Sequence, residues 1–113
     1  MTCVRRFGLA IAVTLLISSA EAAAQPGTYR LIGSGTLSCG SWTALRRQGQ
    51  AWLAEQWILG FLSGVGYKGA GVHDPLNGLD AKAVWAWMDN YCQANPLEQI
   101  AEVAAAFAEI HPR

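Results

Sequence analysis

The chain has 113 residues, with charged residues at 14% and a formal net charge of +0. Hydrophobic residues at 52% can build one small core, which excludes an intrinsically disordered chain. No basic stripe marks a nucleic-acid binder, and no acidic tail is present.

The first 24 residues read as a cleavable export signal. Arg5 and Arg6 form a positive start, Phe7 to Ala20 an apolar run, and Ala22-Ala23-Ala24 a small-residue cleavage site before Gln25. The run falls short of the ~20 apolar residues a spanning helix needs. Cys3 leaves with it, as do Arg5, Arg6 and Glu21. Six basic residues then stand against seven acidic ones. No other apolar stretch is long and unbroken enough to span, so no membrane association is expected after cleavage. Export also places the chain in an oxidising compartment, the periplasm. Cys39 and Cys92 remain there and are expected to form one disulfide.

Residues 25–37 read as an irregular arm, broken by Gly27, Gly33 and Gly35. A short strand from Thr28 to Ile32 would have no partner. Residues 38–113 read as one helical domain. Ser41 can cap a short helix over Trp42 to Gln48, with Arg46 and Arg47 at its negative end. Ala51 to Val65 is predicted helical, with Leu53, Trp57, Phe61 and Val65 as the inner stripe and Trp52, Ile58 and Leu62 widening it. Gly60 and Gly64 would let another helix backbone approach, within the chain or in a homodimer. Gly66 to Leu79 is turn chemistry throughout.

The next helix starts at Asp80, an N-cap, and carries Val84, Trp85, Met88 and Cys92 on one face. Asn95, Pro96 and Glu98 then read as a cap, a first-turn proline and the acidic partner of a capping box. They predict a last helix from Pro96 to about Ile110. The fold class expected is all-α, a disulfide-stapled bundle of about four helices.

Catalytic patterns are few. Gly64 to Gly69 fits a GxGxxG spacing but follows a helix, so the dinucleotide context is missing. His73-Asp74 offers half of an acid–base pair, and His111 suits a helix C-terminus. No metal-ligand spacing occurs. A non-enzymatic protein with no cofactor and no metal is expected. The unusual content is aromatic: Trp52, Trp57, Phe61, Trp85 and Trp87 are the candidate interaction surface. Trp85 and Trp87 lie about 200° apart on a helix, so one shallow core cannot hide both.

Cys39, Gln56-Trp57-Ile58-Leu59, Tyr67-Lys68-Gly69 and Tyr91-Cys92-Gln93-Ala94-Asn95-Pro96 together resemble the HdeA/HdeB family of periplasmic acid-stress chaperones. The likeness runs from Ser38 to Phe107. It implies a small disulfide-bonded helical domain, dimeric at neutral pH, that loosens in acid and binds unfolding clients. A looser resemblance rests on Gly60-Phe61-Leu62-Ser63-Gly64 and Ile110-His111-Pro112. These are similar to small periplasmic immunity proteins that neutralise secreted cell-wall amidases, and imply one specific effector as partner.

Overall fold

A computed structural model of the protein describes residues 28–70 and 72–111. The expected export signal, its cleavage site and Cys3 lie outside the described residues. Among these the chain forms four α-helices: α1 (Cys39–Gln48), α2 (Trp52–Gly69), α3 (Ala81–Ala94) and α4 (Ile100–Ile110). A single 3-10 turn at Ser34–Thr36 precedes them. One isolated antiparallel bridge, Ser38 to Gln99, is the sole β element described. The fold is the expected all-α, disulfide-stapled bundle.

α1 packs on α3, α3 on α4, and α2 on α4. Trp42 of α1 lies in the core with Ile58 and Leu62 of α2, Val84 and Met88 of α3, and Ile100, Val103 and Phe107 of α4. All are buried. Truncating a core aromatic of this size costs about 3–5 kcal/mol. Cys39 and Cys92 are bonded, with Cα atoms 4.7 Å apart, and both are buried. The bond ties the start of α1 to the end of α3. Closing a loop of 53 residues stabilises by about 4 kcal/mol on the chain-entropy account.

The helix starts differ from expectation at two places. α1 begins at Cys39, and Ser38 is its cap: Ser38 Oγ accepts from the Ser41 N–H at 3.1 Å. Two first-turn donors are satisfied from outside the helix, because Cys39 N–H bonds Glu98 O at 2.8 Å and Gly40 N–H bonds Pro96 O at 2.9 Å. The second correction is the corner after Cys92. Asn95 ends α3 and does not start α4: its backbone N–H and its Nδ2 both donate to Tyr91 O. Asn95 to Glu98 then form a turn closed by Glu98 N–H to Asn95 O at 3.2 Å, with Pro96 at its second position. α4 begins only at Ile100, capped by Gln99, whose N–H donates to Glu102 Oε2 at 3.3 Å. The capping box therefore sits four residues later than predicted. The Asn-Pro-x-Glu pattern satisfies both readings locally. The choice is made by Leu37 O, which accepts the Ile100 N–H at 2.8 Å and draws the chain across to the arm. Asp80 does cap α3, accepting from Ala83 N–H at 2.8 Å.

α2 runs to Gly69, past the expected end at Val65, and stops where Ala70 turns left-handed at φ 47°. Its buried stripe is Ala54, Ile58 and Leu62. Leu53, expected inside, is 60% exposed, and Trp57, Phe61 and Val65 flank the core. The helix is apolar nearly all round, so periodicity could not choose between neighbouring faces. Gly60 and Gly64 face open space, and among the described residues no helix approaches them.

The arm is more ordered than expected. The turn at Ser34–Thr36 sits on α2 and α4. Trp57 Nε1 donates to Ile32 O at 2.9 Å, and a Cβ on the buried Gly35 would overlap the Trp57 ring. Only glycine permits that approach. Thr28 to Ile32 forms no strand.

Candidate functional site

The helix register creates a polar hub on one face of the bundle. Cys39 and Cys92 pair α1 with α3 running the opposite way. Three residues on from Cys39 and three back from Cys92, Trp42 meets Asp89. Trp42 Nε1 donates to Asp89 Oδ1 at 2.9 Å. Arg46, one turn further along α1, donates from Nε to Oδ1 at 3.1 Å and from Nη2 to Oδ2 at 3.0 Å. Its Nη1 donates to Glu55 Oε1 of α2 at 2.7 Å. One guanidinium thus joins three helices through two carboxylates. Its carbon also lies 5.5 Å from the centre of the Trp42 ring.

The Glu55 contact is the shorter, yet Asp89 has the larger effect on Arg46. The Asp89 carboxylate, foremost among the causes, raises the Arg46 pKa above its ordinary value, against the opposing pull of burial. The reason is geometric. Asp89 takes the planar fork of the guanidinium with two donors, while Glu55 takes one. Among the described residues both ion pairs run through Arg46. Beside the hub an open recess of about 320 Å³ lies between α1 and α3, lined by Thr43, Arg46, Arg47, Asp89 and Gln93.

The five candidate surface aromatics separate into two groups. Trp85 packs toward α1, its ring 5.9 Å from that of Trp42. Trp87 packs toward α4, edge-on to Phe107 at 5.2 Å and stacked on Tyr91 at 5.0 Å. α3 is buried on two sides, which is how it accommodates both rings. The second surface that Trp87 needs is supplied by α4 of the same chain. Trp57 stacks on Phe61 at 5.6 Å under the arm. These four side chains are half-buried packing residues. Trp52 differs: it is 64% exposed at the start of α2, beside Leu53. Tyr67, further along the same helix, is also exposed.

The sequence pair His73-Asp74 does not form a dyad. His73 Nε2 lies 3.1 Å from Ala108 O, which can only accept, so this nitrogen carries the proton. Asp74 Oδ1 accepts from Leu76 N–H. His111 Nδ1 likewise donates to Phe107 O at 2.9 Å, and its ring stacks on Phe107. His73 therefore covers the Ala108 carbonyl near the end of α4, and His111 adds a second donor to Phe107 O, which its own backbone N–H already reaches at 3.0 Å. Glu98 does not cap α4. Its Oε2 accepts from Tyr91 OH at 3.0 Å and braces the corner. That carboxylate, the first of the causes, raises the Tyr91 pKa above its ordinary value.

Sequence reasoning missed two features here. Helix position alone makes Arg46 a dipole partner, whereas in the structure it pairs with Asp89 and Glu55. The available signal was Asp89 lying one turn after Trp85 on a single stripe. Leu97, which falls inside the predicted last helix, instead stands 93% exposed in the Asn95 to Glu98 turn.

Fold and site together define a small, all-α, disulfide-bonded domain whose helices are clasped by one arginine. No known family model, no curated protein and no solved structure matches the chain.

Proposed function

We propose that this is an exported, periplasmic protein of the acid-stress chaperone type, a non-enzymatic binder of unfolding proteins. The observation that carries the reading is the clasp. The two ion pairs described both depend on carboxylates, and both converge on Arg46. Acid weakens both by discharging carboxylates, and the buried indole of Trp42 then lacks a charged acceptor. The contact between α1 and α3 is then left to the disulfide and apolar packing, and Trp85, only half-buried there, contributes to the client surface. The buried disulfide keeps the two helices tethered, so neutralisation restores the fold. Trp52, Leu53 and Tyr67 on the open face of α2 extend that surface, and the same face serves a homodimer at neutral pH.

The test is suppression of aggregation of an acid-unfolding client enzyme. Activity is expected below about pH 4, the ordinary carboxylate range, and not at neutral pH. Asp89→Asn is expected to move its onset toward neutrality. A protein that stays compact, dye-negative and inert down to about pH 2, well under that range, refutes the reading.

One observation favours a second reading, an immunity protein for one secreted cell-wall-degrading effector. Leu97 is fully presented on a turn held by the bonds from Cys39, Gly40, Tyr91 and Asn95. Such a preordered apolar tip suits insertion into a partner's cleft. Under this reading Leu97→Asp abolishes protection against an amidase encoded next to this chain, and Asp89→Asn leaves it intact.

A further inference from the structure

We propose that Asn77 is a site of spontaneous covalent modification, converting to aspartate and isoaspartate in the folded protein. The inference is independent of the function proposed above. It rests on the turn between α2 and α3. Asn77 and Gly78 are both exposed. Asn77 N–H bonds Asp74 O, and Leu79 N–H bonds Leu76 O. Among the described residues, the Gly78 N–H between them and the Asn77 side-chain amide make no hydrogen bond. Nucleophile and electrophile are therefore adjacent and uncommitted.

Gly78 also has the freedom the reaction needs. Its φ is +74°, and apart from its two chain neighbours no atom lies within 4 Å of where a Cβ would be, so no side chain or packed backbone hinders its reorientation. The backbone nitrogen of Gly78 attacks Cγ of Asn77. A C–N bond forms, the Gly78 amide proton passes through solvent to the departing nitrogen, the Cγ–Nδ2 bond breaks, and ammonia leaves. The product is a five-membered succinimide. Water then opens it at either carbonyl. Opening at Cγ gives aspartate, and opening at the main-chain carbonyl gives isoaspartate, with the chain continuing through Cγ.

The chain carries its own controls. Asn90 lies inside α3, where the following backbone is held helical. Asn95 precedes Pro96, which has no N–H to lose. Conversion adds one negative charge to a chain of formal net charge +0. It places that charge between Asp74 and Asp80, just before α3. The isoaspartyl form also lengthens the backbone leading to the Asp80 cap.

The experiment is ageing of the full-length exported protein, disulfide intact, in mildly alkaline buffer at physiological temperature, followed by peptide mapping. Isoaspartate is read with an isoaspartyl methyltransferase. Asn77 is expected to convert roughly tenfold or more faster than Asn90, given the flexible glycine after it, and Asn77→Gln abolishes the new acidic species on anion exchange. The isoaspartyl fraction, separated on that column, is expected to show severalfold faster hydrogen exchange at the Ala83 amide, the donor to Asp80. A parallel sample in denaturant distinguishes the outcomes. If Asn77 converts there but survives in the folded protein as long as Asn90 does, the turn protects it and the proposal is overturned.

Discussion

Replacing Asp89 by alanine tests whether the clasp is a structural anchor or a surface ornament. The substitution removes the acceptor for three N–H donors: Trp42 Nε1, Arg46 Nε and Arg46 Nη2. The residue carrying the first is fully buried, at 0% exposure. An indole N–H left without a partner costs about 1–3 kcal/mol. The Arg46 pair is about a third exposed on both sides, so solvent screening limits it to about 0–1 kcal/mol. The expected total is about 2–3 kcal/mol, most of it from Trp42. For a domain this small that lowers Tm by on the order of 10–20 °C. Asp89→Asn keeps an oxygen for the indole and loses only the charge, so it is expected to cost about 1 kcal/mol or less. Glu55→Gln is expected to fall in the same low range. Urea denaturation of the three variants measures this, with the midpoint moving and the slope unchanged. If Asp89→Asn is as costly as Asp89→Ala, charge and not the buried acceptor governs the site. If Asp89→Ala is indistinguishable from wild type, the anchoring argument is wrong.

Three further substitutions probe other parts of the fold. Gly35→Ala sets a methyl group into the Trp57 ring, so overpacking costs about 1–3 kcal/mol and the arm lifts; a red shift in tryptophan emission reports it. Cys39→Ser with Cys92→Ser is expected to cost about 4 kcal/mol in denaturant, and peptide mapping of the non-reduced wild type must show neither Cys39 nor Cys92 alkylated. Tyr91→Phe addresses alkaline stability. Because the folded pKa of Tyr91 is raised, its contribution is complete below the ordinary tyrosine value of about 10 and is lost as pH rises through the folded one. Wild type is therefore expected to lose stability in that alkaline window while the phenylalanine variant, lacking the titrating hydroxyl, does not; equal alkaline profiles would show that the Glu98 bond contributes nothing.

Much of the architecture was legible from local chemistry. Asp80 caps α3 because a short side-chain acceptor before an apolar stripe has one good use. Val84, Met88 and Cys92 repeat at helical spacing and are all buried. Cys39 and Cys92 bond, as expected of the two cysteines that remain when Cys3 is set aside with the proposed export signal. Each of these depends on neighbours within one or two turns, and sequence contains those neighbours.

What tertiary structure decided were choices between locally equal options. α2 is apolar around most of its circumference, so only packing against α4 could select Ala54, Ile58 and Leu62 over Leu53. Asn95 and Gln99 are both able to open a helix, and the Leu37 carbonyl decided for Gln99 by taking the Ile100 N–H. Trp85 and Trp87 pointed to an unpaired surface only while α3 was taken as one-sided. With α1 on one flank and α4 on the other, each ring has a partner. The Arg46 clasp spans residues 43 apart in sequence, and its geometry follows from the antiparallel register that the disulfide imposes. Periodicity fixes which residues share a face of a helix, but which neighbour that face meets is a property of the assembled bundle.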